Sequence, residues 1–360
     1  MQQTELRKPA AKLTSVVLLG SRGIPARYGG FETLVEILAT RLPKSCFRVT
    51  VFCEKALKNL RPSIPGVSTV YFAVFEPFRI ASEITYDIVA LMWATFAPVE
   101  VVILFGYTAS IFCILPRITG RTVLINVDGL EWKREKFAKL IRFILKIAES
   151  IAPKVAIEIV CDSRSIQSYY RRQYSAASAY APNPVIEPVH YRPEVLTAQR
   201  LVPREYYLVV ARLEPENHAD MIIEGCEQAE SERELIIVGP LLRTRFVEKL
   251  LKMNANRVRF VGGIYDRAAL YSLRKESFAY IHGHEVGGTN PSLLESMVTG
   301  SPIIALDVPF NREVVQGNAL YFKNSRELAE SIRILESHPI QRNIMGKRAR
   351  RIALNERARH

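Results

Sequence analysis

The sequence predicts an α/β chain of two doubly wound, Rossmann-like domains whose parallel sheets face a central cleft. Short β-rich runs alternate with helical periods almost throughout, and strand–helix–strand spacing of that kind builds parallel βαβ units. The alternation comes in two series, separated by a stretch that holds Pro182, Pro184, Pro188, Pro193 and Pro203. A chain of 360 residues has room for two to three domains at about 150 residues each.

The first series of strands is expected at Val16–Gly20, Arg48–Cys53, Thr69–Ala73, Val101–Phe105, Val123–Asn126 and Ile157–Cys161. The second follows at Tyr207–Ala211, Glu234–Gly239, Val258–Gly262, Phe278–His282 and Pro302–Leu306. Residues 1–13 are expected to be a flexible tail, 14–190 the first domain, 191–341 the second and 342–360 a basic tail. The run Ile88–Pro116 carries one charge, Glu100, and is long enough to cross a bilayer, which takes about 20 residues. Pro98, Glu100 and Gly106 interrupt it, so it reads as a helix to about Ala97, the buried strand Val101–Phe105 and a second helix from about Thr108.

With 48% hydrophobic and 24% charged residues the chain is not a disordered protein. Its five cysteines lack CxxC spacing, which argues against a disulfide framework or a zinc site and for a reducing, cytoplasmic compartment. Residues 1–13 carry Arg7, Lys8 and Lys12, and no apolar signal-peptide core follows them. The net charge is +13. Arg342, Lys347, Arg348, Arg350, Arg351, Arg357 and Arg359, set against Glu356 alone, place nearly half of it near the C-terminus. No nucleic-acid-reading motif accompanies that cluster, so no nucleic-acid partner is expected. Plain solubility or an anionic membrane surface at the inner face of the cell membrane remains.

After the first strand come Gly20, Gly23, Gly29 and Gly30, with Arg22 and Arg27 among them, and then the amphipathic helical run Phe31–Leu42. A Gly-rich loop feeding a helix N-terminus offers backbone N–H groups to an anion; a tight turn requiring positive φ is the plainer reading. The spacing is not GxGxxG. Glu54, where a ribose-binding acid would sit in a dinucleotide fold, keeps an NAD-dependent dehydrogenase as an alternative.

Three segments resemble retaining GT-B glycosyltransferases of family 4. Tyr207-Leu-Val-Val-Ala-Arg-Leu-Glu-Pro-Glu-Asn217 is similar to the strand and turn in which that family's Arg, and usually a Lys five residues later, neutralise the donor diphosphate. Arg212 matches the Arg, and Asn217 stands where Lys is usual. Gly287-Gly-Thr-Asn-Pro-Ser-Leu-Leu-Glu295 resembles the E-x7-E segment, with Glu295 as its second Glu and Gly287 in place of its first; Glu285 lies two positions early. Val123-Leu-Ile-Asn-Val-Asp-Gly-Leu-Glu-Trp-Lys-Arg134 resembles the "HGL" segment, with Asp128 in place of His. Together with the Gly-rich loop these blocks are similar to the bacterial capsule and exopolysaccharide rhamnosyltransferases of the β-1,4 kind that use dTDP-rhamnose.

The resemblance implies an acceptor-binding N-terminal domain, a nucleotide-sugar-binding C-terminal domain, retention of configuration and a lipid-linked saccharide acceptor. Other UDP- or GDP-sugars, or a non-catalytic nucleotide-sugar binder, remain alternatives.

The residues support the same chemistry. Glycosyl transfer builds negative charge on a leaving diphosphate, and the chain has no Asp-x-Asp to hold a metal there. Fixed cations and helix N-termini must then serve, so neither a metal nor a cofactor is expected. Arg212, at a strand end, is the candidate cation. Gly29, Gly30, Asn217, Gly288, Thr289, Asn290 and Glu295 are candidate donor contacts, with Glu295 accepting from the ribose. Asp128, after a buried strand, either takes the acceptor proton or bonds the donor sugar; capping the following turn is its plainer role. Arg27, Tyr28, Glu131 and Arg134 are acceptor-side candidates, Arg134 being read as solvated and able to reach an acceptor phosphate. His282 and His284 share a strand face.

Overall fold

A computed structural model describes residues 13–26, 29–60, 64–73, 79–134, 137–184, 190–253 and 255–358. The described residues form two compact units. One holds those up to 127 with 147–160 and 176–178; the other holds 128–146, 161–175 and 179–358. Segments 128–146 and 161–175 thus pack with the second unit although they precede the proline-rich connector.

The first sheet has seven strands: β1 (Thr14–Leu19), β2 (Phe47–Glu54), β3 (Val67–Phe72), β4 (Val101–Phe105), β5 (Thr122–Val127), β6 (Glu158–Cys161) and β7 (Ser178–Tyr180). Their order is β3-β2-β1-β4-β5-β6-β7. The pairs from β3 through β5 are parallel, with Val16 opposite both Val49 and Val101. Helices α1 (Gly30–Arg41), α2 (Arg79–Phe96), α3 (Ile114–Ile118), α4 (Lys139–Val155) and α5 (Arg164–Tyr174) lie between these strands in sequence. Val16 and Leu18 of β1 pack with Val35 and Ala39 of α1 in one apolar cluster.

The second sheet has six: β8 (Tyr206–Val210), β9 (Glu234–Val238), β10 (Val258–Gly262), β11 (Ala279–His282), β12 (Ile303–Leu306) and β13 (Leu320–Phe322). Their order is β10-β9-β8-β11-β12-β13, parallel throughout. Alternation along β8 sends Tyr207 and Val209 into one core cluster and Tyr206 and Leu208 into another. A strand buried on both faces needs apolar side chains at every position, which is why its sequence reads as an unbroken run. The buried tyrosines still satisfy their hydroxyls, since Tyr206 donates to the Leu273 carbonyl at 2.6 Å and Tyr207 to Glu336 at 2.9 Å. Strand order reverses between β1 and β4 and again between β8 and β11, the positions where open α/β sheets bind ligands.

All eleven expected strands form. The three-residue β7 and β13 are additional, and are too short to show a period. The apolar run 88–116 folds as α2, β4, a 3-10 turn Ser110–Cys113 and α3; no helix among the described residues is long and apolar enough to cross a membrane.

The basic C-terminal segment is a helix, Pro339–Ala358. Ala349 and Ala353 are fully buried in the core beside Leu293 and Met297, and Asn318 donates to the Met345 carbonyl at 2.9 Å. Small residues at this contact let the helix approach closely. Ala349→Leu is therefore expected to cost about 1–3 kcal/mol by overpacking, read as a lower urea midpoint; an unchanged midpoint would show that the helix does not pack there.

Candidate functional site

The site lies in the second unit, at the β8/β11 reversal. After β8 the chain passes through Arg212 into a 3-10 turn, Pro215–Asn217. Asn217 is buried, and its side-chain amide donates to the Arg212 carbonyl at 2.7 Å. Its amide group thus holds the loop that presents Arg212. The loop after β11 packs against this turn. The Glu285 N–H donates to the Glu216 carbonyl at 3.0 Å, and His218 meets the Glu285 carboxylate at 3.0 Å. Gly283 makes the approach possible, since a Cβ there would stand 2.4 Å from the Asn217 carbonyl oxygen.

The segment following β5 supplies the opposing charges. Glu131 begins a 3-10 turn, and Arg134, only 9% exposed, bonds back to it through Nε at 2.9 Å and Nη2 at 2.8 Å. The same guanidinium lies 3.6 Å from Glu216 and 3.8 Å from Glu214. Glu214 also lies 3.8 Å from Arg212. Arg134 is therefore not solvated: it is the centre of a carboxylate cluster, which holds its proton more firmly than usual. The reason is that a buried cation is tolerated only with paired carboxylates.

Asp128 joins this field. Burial pushes its carboxyl up from 3.8 to about 6, the Glu131 carboxylate adds to the rise, and the Arg134 and Arg212 guanidiniums oppose it. Asp128 and Arg212, candidates from separate motifs, thus interact electrostatically in one unit.

The sequence reading missed Asp162. It follows β6 as Asp128 follows β5, and that shared position at a strand's C-terminal end was the available signal. Its Oδ2 accepts from the Thr289 N–H at 2.9 Å and from the Asn183 amide at 3.2 Å, while the Thr289 hydroxyl donates to the Asp162 carbonyl at 2.7 Å. Burial, then the Asp128 carboxylate, raise the Asp162 carboxyl well above the usual range. A Cβ on Gly288 would lie 2.0 Å from Asp162 Oδ1. Thr289 thus fastens Asp162, and Gly288 leaves room for its carboxylate.

Asn290 caps the helix Pro291–Val298 by accepting from the Ser292 N–H at 2.9 Å. Glu295, on that helix, pairs with buried Arg274 at 2.8 Å, so any ligand hydroxyl must share that carboxylate. His282 and His284 stack at 4.4 Å with rings 10° from parallel. Burial first, then the neighbouring imidazole or the Arg212 guanidinium, hold both largely neutral, His284 falling to about 3.

In the first unit, Gly20 and Gly23 have φ of +82° and +102°, which favours the turn reading of this loop. Gly29 is the extended N-cap of α1 and Gly30 its first residue. Two donors of the loop are filled from α1: Arg22 N–H donates to Glu32 at 3.3 Å and Ala26 N–H to Glu36 at 3.4 Å. Glu54 lies 3.7 Å from Arg22. Arg27 and Tyr28 lie outside the described residues. No group of three His, Cys, Asp or Glu side chains suited to a metal ion occurs among the described residues.

Beside the cluster the second unit opens a cavity of about 1040 Å³, lined by Trp132, Lys133, Arg142, Arg164, Arg172 and Arg312 among others, with Glu216 at one wall.

The two parallel-sheet α/β units, of seven and six strands, match the GT-B fold of solved glycosyltransferase structures. Residues 198–352 match the profile of Glycosyl transferases group 1, and residues 13–182 that of a domain of unknown function, DUF1972. No protein of curated function matches by sequence. Among solved structures the chain is similar to sucrose-phosphate synthase from Thermosynechococcus elongatus, at 18% identity over 95% of this chain and 94% of that one, with a TM-score of 0.76. It is also similar to HepE of Anabaena in complex with UDP-glucose (17%, 95% and 94%, 0.72) and to a UDP-forming trehalose-phosphate synthase of Burkholderia vietnamiensis (11%, 96% and 96%, 0.70). The group 1 match over residues 198–352, together with these structural neighbours, makes the chain a glycosyltransferase.

A carboxyl raised to about 6 binds its proton more tightly folded than unfolded. It therefore favours the folded state below about pH 4, and that contribution is lost as pH rises through 6. Asp128→Asn removes this dependence, so its stability should gain on the wild type between pH 4 and 7 in urea titrations. A pH-independent difference would place Asp128 in a solvated, unperturbed setting.

Proposed function

We propose that this glycosyltransferase moves rhamnose from dTDP-rhamnose, with retention, onto a lipid-linked saccharide during capsule or exopolysaccharide synthesis. One observation carries the reading: Arg212 and Asp128 act on each other electrostatically within one charge cluster, and the sequence blocks that hold them are those that resemble the rhamnosyltransferase branch. Arg212 supplies fixed positive charge to the leaving diphosphate, where a preorganised group acts most strongly. Asp128, with its carboxyl near 6, is ionised at neutral pH yet basic enough to take the acceptor hydroxyl proton as the bond forms. No side chain stands out as a committed nucleophile, so transfer on the front face is favoured over a covalent intermediate.

The cavity suits an acceptor carrying phosphate and sugar. Lys133, Arg142, Arg164 and Arg172 offer cations to a diphosphate, and Trp132 and Tyr169 offer ring faces to a saccharide. A lipid-borne acceptor places the enzyme at the inner face of the cell membrane. The second reading is a UDP-sugar donor, because HepE was solved with UDP and with UDP-glucose.

The reading is tested by incubating the protein with dTDP-rhamnose and a polyprenyl-diphosphate saccharide, with mass spectrometry of the lipid. Gain of one deoxyhexose supports it; gain of a hexose from UDP-glucose alone would replace the donor. Arg212→Ala should lose about 2–4 kcal/mol of transition-state stabilisation in kcat/KM, whereas wild-type turnover would remove Arg212 from the site. Activity is also expected to survive EDTA, since the proposed leaving-group charge is met by Arg212; loss restored by Mg²⁺ would assign that role to a metal.

A further inference from the structure

Two imidazoles at the C-terminal end of β11 stand outside the charge cluster. Residues two apart on an extended chain share a face, and Tyr280, His282 and His284 accordingly form a column of rings. Tyr280 and His282 lie 5.9 Å apart at 32°, and His282 and His284 stack at 4.4 Å, 10° from parallel. The Tyr280 hydroxyl is satisfied in the core, where it meets the Ser292 hydroxyl at 2.8 Å. The imidazoles are not. His282 is fully buried, yet neither of its ring nitrogens has a hydrogen-bond partner among the described residues. His284 Nδ1 is buried in the same condition. Buried polar atoms are nearly always paired, so three such atoms in one stack call for a partner from outside the described residues.

The backbone that carries His284 is fastened on both sides. The Asn311 amide donates to the His284 and Leu306 carbonyls, each at 3.0 Å, which ties the turn to the end of β12. On the other side the Glu285 N–H bonds the Glu216 carbonyl and Gly283 abuts Asn217, in the loop that presents Arg212. His284 itself is half-buried. The column thus starts in the core and ends on a ring that a ligand can reach.

The charge around His284 selects what it can bind. Burial, then the Arg212 and Arg134 guanidiniums, hold its ring neutral. A neutral imidazole has one donor and one acceptor nitrogen, the pattern that suits a hydroxyl, which also donates and accepts. A phosphate oxygen only accepts, and is better met by a guanidinium. Beside a diphosphate held at Arg212, a nucleotide sugar offers such hydroxyls on its ribose and on the sugar to be transferred. Glu295 is the candidate for the ribose, which leaves the transferred sugar.

We propose that His284, seated on His282, hydrogen-bonds a hydroxyl of the sugar being transferred and so takes part in choosing the donor. The proposal deepens the donor reading given above and rests on it.

The test is calorimetric titration of the full chain with a nucleotide sugar and with the same nucleotide lacking the sugar: dTDP-rhamnose against dTDP, and UDP-glucose against UDP. His284→Phe keeps a ring on the stack and removes both nitrogens. It should bind the nucleotide sugar that the wild type prefers about tenfold more weakly, with binding of the bare nucleotide unchanged. His284→Ala should show the same selective loss, so the comparison stands even where the phenylalanine variant does not fold. A purely structural role would weaken nucleotide sugar and bare nucleotide alike. That result, or unchanged binding of both, overturns the proposal alone. Failure of the donor reading is seen in the wild type instead, as no binding of either nucleotide sugar, and it overturns both.

Discussion

A buried guanidinium organises the candidate site. Arg134 lies within 4 Å of Glu131, Glu214 and Glu216, and removing a charged partner from such a buried group costs several kcal/mol. The three carboxylates come from two segments far apart in sequence, 128–134 and 211–217. Holding one cation therefore fixes the turn after β5 against the turn after β8. Arg212 is placed by that second turn, through the Asn217 bond to its carbonyl, and Asp128 by the first. The separation of roles is physical: Arg134 is buried among the protein's own carboxylates, whereas Arg212 is about one-third exposed and lies 3.8 Å from Glu214.

The same cluster accounts for the titration of the site. Asp128 is raised by burial and by Glu131 but held in check by two guanidiniums, whereas Asp162 has Asp128 as a further raising influence. Burial thus raises both carboxyls at the ends of adjacent strands. Asp162 fastens the loop 288–289 through its bonds with Thr289, whereas Asp128 lies in the field of Arg134 and Arg212.

The fold was legible because its strands are buried on both faces and so announce themselves as apolar runs between helical periods. Only β7 and β13, at three residues each, carry too little pattern. The individual candidates Asp128 and Arg212 were legible from motif and strand-end position. Their surroundings were not. Nothing in Glu-Trp-Lys-Arg134 distinguishes a solvated turn from one whose Arg is buried by Glu214 and Glu216, because that burial is a long-range contact. Asn217 in place of a Lys is explained locally, since a short amide can turn back onto the Arg212 carbonyl. The bonds between Thr289 and Asp162 are hidden in the sequence because the two residues are more than a hundred positions apart. The C-terminal helix was obscured by its charge, with small alanines rather than large apolar residues making the contact.

If the cluster at the β8/β11 reversal binds a nucleotide sugar through its diphosphate, calorimetric titration of the full chain with dTDP-rhamnose, UDP-glucose, GDP-mannose and NAD will show it. Saturable binding of dTDP-rhamnose is expected, with weaker binding of the other two nucleotide sugars and no heat with NAD. Binding of NAD alone, or of none of the four, would rule out a nucleotide-sugar site there.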